Sequence, residues 1–137
     1  MRNSKPILLI EDDDVDALTT KRALNDIKVT NQLVHKVNGE EGVEYLKNGE
    51  EKPCVILLDL NMPRMNGFEF LKVIKDDELL KKIPVIVLTT SDTDYNIVES
   101  YELGVAGYIT KPVDYKQFVE SMKTVDMYWT LSRLPTE

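Results

Sequence analysis

A run of apolar residues, Cys54-Val55-Ile56-Leu57-Leu58, ends abruptly in a carboxylate, Asp59, and then in the turn Leu60-Asn61-Met62-Pro63-Arg64-Met65-Asn66-Gly67. This is the pattern of a strand buried on both faces that delivers one acid to its C-terminal edge. Alone, Asp59 could do no more than cap the next turn. Its chemistry becomes interesting beside Glu11-Asp12-Asp13-Asp14, which follows a second apolar run, Ile7-Leu8-Leu9-Ile10. Carboxylates crowded at one sheet edge repel one another and take up protons unless a cation compensates. Side-chain oxygens with a nearby backbone carbonyl suit a hard divalent ion, and the lack of a complete twelve-residue Ca²⁺ loop favours Mg²⁺ with several waters retained. Two or three of the acids can be ligands; Asp13, Asp14 and Asp16 read as the solvated first turn of a helix. Thr89 and Lys111 end two further strands and add one hydroxyl and one cation, the complements that an anionic phosphoryl group needs.

The elements that must position these residues alternate strictly. Strands are expected at 7–10, 33–37, 54–59, 85–89 and 107–110, each short and apolar. Between them the spacing predicts a helix over 14–27 with Val15, Leu18, Leu24 and Ile27 on one face, and a short helix opening at Asn38-Gly39 and closing at Asn48-Gly49. A third helix starts at Gly67 with Phe70, Leu71 and Ile74 inward. A fourth covers 94–103, stopped by Gly104, and a fifth covers 115–131. Five βα units imply an α/β fold, a five-stranded parallel sheet with helices on both faces, because parallel strands need right-handed crossovers. The flavodoxin-like order 2-1-3-4-5 fits five units, and it makes the first and third strands neighbours. Glu11 and Asp12 then meet Asp59.

The 137 residues suit one domain, and the hydrophobic fraction of 42% with 30% charged residues is that of an ordinary soluble protein. No run is long enough to span a bilayer and no signal-peptide pattern opens the chain, so a cytoplasmic location and no membrane role are expected. A net charge of −7 argues against sequence-independent nucleic-acid binding. The single cysteine, Cys54, reads as a small buried thiol, and the single histidine, His35, as a surface or satisfied strand residue. Met62 and Met65 read as packing for the loop.

Taken in order at consecutive strand ends, Glu11-Asp12, Asp59, Thr89, Tyr108 and Lys111-Pro112 resemble the signature of receiver domains of two-component response regulators, over nearly the whole chain. The resemblance implies that Asp59 is the phosphoacceptor for a sensor histidine kinase. It implies that Asp12, Asp59 and the backbone carbonyl of Asn61 ligate Mg²⁺, with Mn²⁺ as a substitute and Glu11 acting through water. Lys111 and Thr89 would contact the phosphoryl group. Thr90 must be small enough to leave it room, and Asn61 and Ser91 would flank the water that later removes it. Thr89 and Tyr108 would form the switch, which changes the surface of the fourth helix, fifth strand and fifth helix. Without the resemblance, Tyr108 reads as an aromatic half-buried in an edge strand. The resemblance also implies a cis Lys111-Pro112 peptide. Asn66 departs from the Asp common at that position, with no mechanistic consequence evident in the sequence. Such a protein is not an enzyme in the ordinary sense, although it promotes its own phosphorylation and dephosphorylation.

Residues 1–137 are thus expected to be a single receiver domain, with a C-terminal helix extension at about 127–137. The ending from Met127 to Pro135 resembles the small regulators that partner bacterial phytochrome kinases. Phe118, Met122, Val125 and Trp129 form a core stripe on the last helix; Met127, Leu131 and Leu134 form a second one, for which a homodimer is expected. Two rival classes compete with this reading. A phosphohydrolase of the haloacid-dehalogenase type also forms an aspartyl phosphate but normally carries a second Asp two residues on, where this chain has Asn61. A flavin-phosphate binder needs a Ser/Thr/Gly-rich loop after the first strand, where this chain has four acids.

Overall fold

The computed structural model describes residues 5–49, 51–60, 62, 65–89, 94–111 and 114–131, the side chains of 94, 95, 98 and 128–131 excepted. Strands and helices alternate as β1 (Ile7–Ile10), α1 (Asp14–Asp26), β2 (Leu33–Lys36), α2 (Gly39–Asn48), β3 (Val55–Leu58), α3 (Gly67–Lys75), β4 (Val85–Thr89), α4 (Asp94–Glu102), β5 (Gly107–Thr110) and α5 (Tyr115–Leu131). A 3-10 turn at Leu80–Lys82 precedes β4 and buries Leu80; the periodicity did not predict it. The sheet is parallel throughout in the expected order β2-β1-β3-β4-β5.

Side chains alternate across a strand, so each face of the sheet builds its own core. Leu8, Ile10, Ile56, Leu58, Val85 and Val87 pack with Leu46 of α2 and with Phe70, Leu71 and Ile74 of α3. On the opposite face Ile7, Leu9, Val55, Leu57, Ile86 and Leu88 pack with Ala23 and Leu24 of α1 and with Phe118 and Met122 of α5. Burying each such aliphatic side chain is worth about 1.5–3 kcal/mol, which fixes the strand register and therefore the level at which the strands end.

Helices start beside the C-terminal edge of the sheet, and among the described residues side chains cap four of them, Asp114 accepting from the Lys116 N–H at 2.9 Å at the start of α5. Asp13 accepts from the Asp16 N–H at the start of α1, and Asn38 from the Glu41 N–H at the start of α2. Asn66 accepts from the Glu69 N–H while Glu69 reaches back to the Asn66 N–H. Asn66 therefore has a structural use as a cap, one that the Asp common at this position would serve equally well.

The predicted inward face of α1 is corrected. Val15 and Leu18 are 70% and 65% exposed, and the helix instead buries Ala17, Thr20, Ala23 and Leu24. Ile27 packs partly against the same core. Small residues form most of this face, with the Thr20 hydroxyl satisfied by the Asp16 carbonyl at 3.0 Å, so hydrophobicity alone pointed to the wrong stripe. On α5, Phe118 and Met122 are buried and Val125 half-buried as expected, whereas Met127 is 56% exposed. The side chains of Trp129 and Leu131, together with Leu134, lie outside the described residues. Cys54 is buried as expected, its thiol pushed up by desolvation. Among the described residues no helix is long and apolar enough to cross a membrane.

Candidate functional site

The strand ladders run directly into the site. The Asp59 N–H donates to the Ile10 carbonyl at 3.0 Å, the Glu11 N–H to the Lys36 carbonyl at 3.0 Å and the Lys111 N–H to the Thr89 carbonyl at 2.6 Å. Glu11, Asp59 and Lys111 thus each stand one step past a strand, and the backbone of each is held by the neighbouring strand. Gly67 tightens the same corner: a Cβ there would lie 2.7 Å from Leu60 Cα and 2.8 Å from the Asp59 carbonyl oxygen. Only glycine lets α3 begin this close to the end of β3.

Carboxylate oxygens of Glu11, Asp12 and Asp59 lie within 4.8 Å of one another. Glu11 and Asp59 are 1% and 7% exposed, whereas Asp12 is open to solvent. Two buried like charges at that separation repel by roughly 3 kcal/mol at an effective dielectric constant of 20. Burial pushes the Glu11 carboxyl up to about 8; Lys111 opposes this, and the neighbouring Asp59 adds to it. Glu11 Oε1 accepts from the Lys111 ammonium, and Oε2 accepts from the Asp13 N–H at 3.3 Å. Burial pulls the Lys111 ammonium down, but the hydrogen bond and charge of Glu11, with Asp59 and Asp16, outweigh it and hold the group above its ordinary value. One ammonium cannot neutralise three converging acids. The donor set is all oxygen, clustered and partly desolvated, and it fits a hard divalent cation.

Thr89 is fully buried at the end of β4. Tyr108 is half-buried in β5, opposite Val87 of β4, and packs against the core beneath α2 and α3. Asn61, Thr90, Ser91 and Pro112, and with Pro112 the expected cis peptide, lie outside the described residues. The expected loop packing is present: Met62 is buried and Met65 packs against the core. His35 is satisfied as expected, its Nε2 lying 2.7 Å from the Glu11 carbonyl oxygen.

Asp16 differs from its expected role as a solvated first-turn acid. Asp16 is not simply solvated; its Oδ2 lies 3.0 Å from Lys111 Nζ, so α1 contributes a second carboxylate to the same lysine. Asp16 lies five positions after Glu11. Helical geometry alone cannot show that a lysine ninety-five positions later would reach both.

The chain belongs to the response regulator receiver domain family, signalling proteins of two-component systems; the family match covers residues 7–123. It is 35% identical to the response regulator Rcp1 of Synechocystis sp. over 130 residues, spanning 91% of this chain and 88% of that protein. It is also similar to the probable methanogenesis regulatory protein FilR2 of Methanothrix harundinacea, at 33% identity over 90% of this chain and 82% of the relative. Among solved structures, the phosphorylated cyanobacterial phytochrome response regulator RcpA superposes with a TM-score of 0.90 at 37% identity, covering 97% of this chain and 99% of the other. These matches give no support to the phosphohydrolase alternative.

Proposed function

We propose that residues 1–137 act as a single-domain response regulator that accepts a phosphoryl group on Asp59 from a sensor histidine kinase. The observation that carries this reading is the convergence of Glu11, Asp12 and Asp59 within 4.8 Å at the sheet edge where Lys111 is ion-paired. An Asp59 carboxylate oxygen attacks the phosphorus of a kinase phosphohistidine; the P–N bond breaks, the imidazole leaves, and an acyl phosphate remains. Asp12, Asp59 and the Asn61 carbonyl, with Glu11 through water, would hold Mg²⁺ or Mn²⁺, which supplies neutralisation of charge on the equatorial phosphoryl oxygens. Rcp1 has been solved in a Mn²⁺-bound form, in line with that donor set. The Lys111 ammonium binds a phosphoryl oxygen from the other side, and the Thr89 hydroxyl donates to the same group. Hydrolysis by an in-line water, with Asn61 and Ser91 flanking its approach, resets the domain.

Phosphorylation signals by favouring one of two conformations, to the extent that the phosphoryl group binds them unequally. Thr89 moves towards the phosphoryl group and Tyr108 rotates into the space vacated, which alters the α4–β5–α5 surface. Support for this comes from the register: Tyr108 faces Val87, two residues before Thr89 on the adjoining strand. The partner kinase is of phytochrome type, a reading supported by the similarity to the cyanobacterial phytochrome response regulator RcpA, and the protein works in the cytoplasm. Self-association through the α4–β5–α5 side, with the last helix contributing, is part of the proposal; Met127 is exposed on that helix, where it lines a groove with Asp26 and Ile27 at the end of α1. Sedimentation of wild type and Leu131→Asp, with and without phosphodonor, tests that part; a wild type monomeric in both states contradicts it.

The test of the main reading is phosphotransfer profiling against the histidine kinases of the source genome. One kinase, with a phytochrome sensor, should transfer label to the wild type within the first time points and none to Asp59→Asn. Equal labelling of the variant contradicts the assignment.

A further inference from the structure

Lys111 holds one of its N–H donors against Glu11 and another against Asp16, the latter at 3.0 Å. The two acceptors come from different elements. Glu11 directly follows β1, whose last carbonyl receives the Asp59 N–H, so this acceptor belongs to the site. Asp16 belongs to α1, and there it lines a cavity of about 350 Å³ between α1 and α5 together with Thr19, Thr20, Arg22, Lys111 and Tyr115. Glu11, Asp12 and Asp59 are not among the residues that line it. The acceptors also differ in strength. The Glu11 side chain is 2% exposed and that of Asp16 is 39% exposed, which makes the Asp16 pair the screened and easily broken one.

We infer that Asp16 is a positioning residue that competes with the phosphoryl group for Lys111, drawing the ammonium towards α1 until phosphorylation of Asp59 takes it away. The inference rests on the phosphoacceptor reading above. Its physical basis is that an ammonium is a point charge on a flexible stem, so its position follows the sum of the anions around it. A carboxylate on the α1 side lowers the free energy of the lysine in the unphosphorylated state, and that much must be given up when the lysine turns to the phosphoryl oxygen. Removing the charge of Asp16 should therefore strengthen the hold on a phosphoryl group. The backbone N–H of Asp16, which completes the α1 cap on Asp13, is untouched by a side-chain change.

The experiment is a fluorine NMR titration of the full chain with beryllofluoride, a phosphoryl mimic, at saturating Mg²⁺. Asp16→Asn should bind it about two- to fivefold more tightly than wild type, the range expected for a partly exposed ion pair. Asp16→Glu, which keeps the charge, should return the affinity towards wild type, a rescue that a merely structural role of the residue would not give. The gain should shrink as salt is raised, because the competing pair is screened. If Asp16→Asn unfolds, Asp16→Ala should show the same gain. Wild type that binds beryllofluoride normally, with the neutral variants equal to it or weaker, overturns the role of Asp16 alone. A folded wild type that binds no beryllofluoride at all overturns the phosphoacceptor reading and this inference with it.

Discussion

Strands β1 and β3 are buried along their whole length, with helices capped by Asp13 and Asn66 beginning just beyond them, whereas β5 is half-buried and its last residue, Thr110, is exposed. The first half of the sheet carries the converging carboxylates, and the second carries Tyr108. The difference has a physical sense. Desolvated like charges stay together only if a stiff frame holds them, and β1 and β3, paired to each other and packed on both faces, provide one. A conformational readout needs the opposite, an element whose alternatives lie close in free energy. The α4–β5 region has the marks of such an element. Ser100 is fully buried on α4 with no hydrogen-bond partner for its hydroxyl among the described residues, and Gly104, two residues past the end of α4, has a φ of +83°.

The largest expected effect compares the same kind of truncation in the two halves. Leu58→Ala in β3 should destabilise the protein by about 2–5 kcal/mol, the range for emptying a packed core site. Ile109→Ala in β5 should cost about half as much or less, since part of that side chain is already in water. Urea unfolding of both variants reads the difference, and equal losses would remove the contrast between the halves. Next in size is Gly67→Ala, where the added methyl meets the Asp59 carbonyl and the Leu60 backbone. A loss of about 1–3 kcal/mol is expected from overpacking, together with weaker Mg²⁺ binding in a calorimetric titration, because the displaced backbone carries Asp59. A destabilised variant with unchanged Mg²⁺ affinity would show that the corner does not aim the carboxylate.

Asn66→Ala, which removes one cap and breaks its reciprocal bond with Glu69, should cost about 1 kcal/mol. Asn66→Asp should cost little, since both residues cap well. The smallest effect has the opposite sign. Ser100→Ala should stabilise the protein by about 0.5–1 kcal/mol, because it removes an unsatisfied buried hydroxyl and improves helix propensity. A loss of stability in that variant would mean that the hydroxyl has a partner and that α4 is held as firmly as α3.

The sequence made the sheet legible because its apolar runs end sharply: Ile10 before Glu11, Leu58 before Asp59 and Thr89 after Leu88 all stand where the strands close. Site residues at strand ends were legible for the same reason, since topology carried them together without any knowledge of side-chain paths. Helix faces were harder. The inner face of α1 is Ala17, Thr20, Ala23 and Leu24, and its small and hydroxylated members are weak signals beside the exposed Val15 and Leu18. The role of Asp16 was not legible because its partner is remote in sequence; a first-turn acid looks the same whether it faces water or Lys111. The 3-10 turn at Leu80–Lys82 is too short to leave a period.

The most direct test is intact-mass measurement after incubation with acetyl phosphate, with Mg²⁺ present or removed by EDTA, on wild type and Asp59→Asn. The clustered carboxylates at the end of β1 and β3 predict one phosphoryl adduct on the wild type in Mg²⁺, none after chelation and none on the variant. An adduct that forms in EDTA, or that persists in Asp59→Asn, would contradict the assignment of Asp59 as the phosphoacceptor of a metal-dependent site.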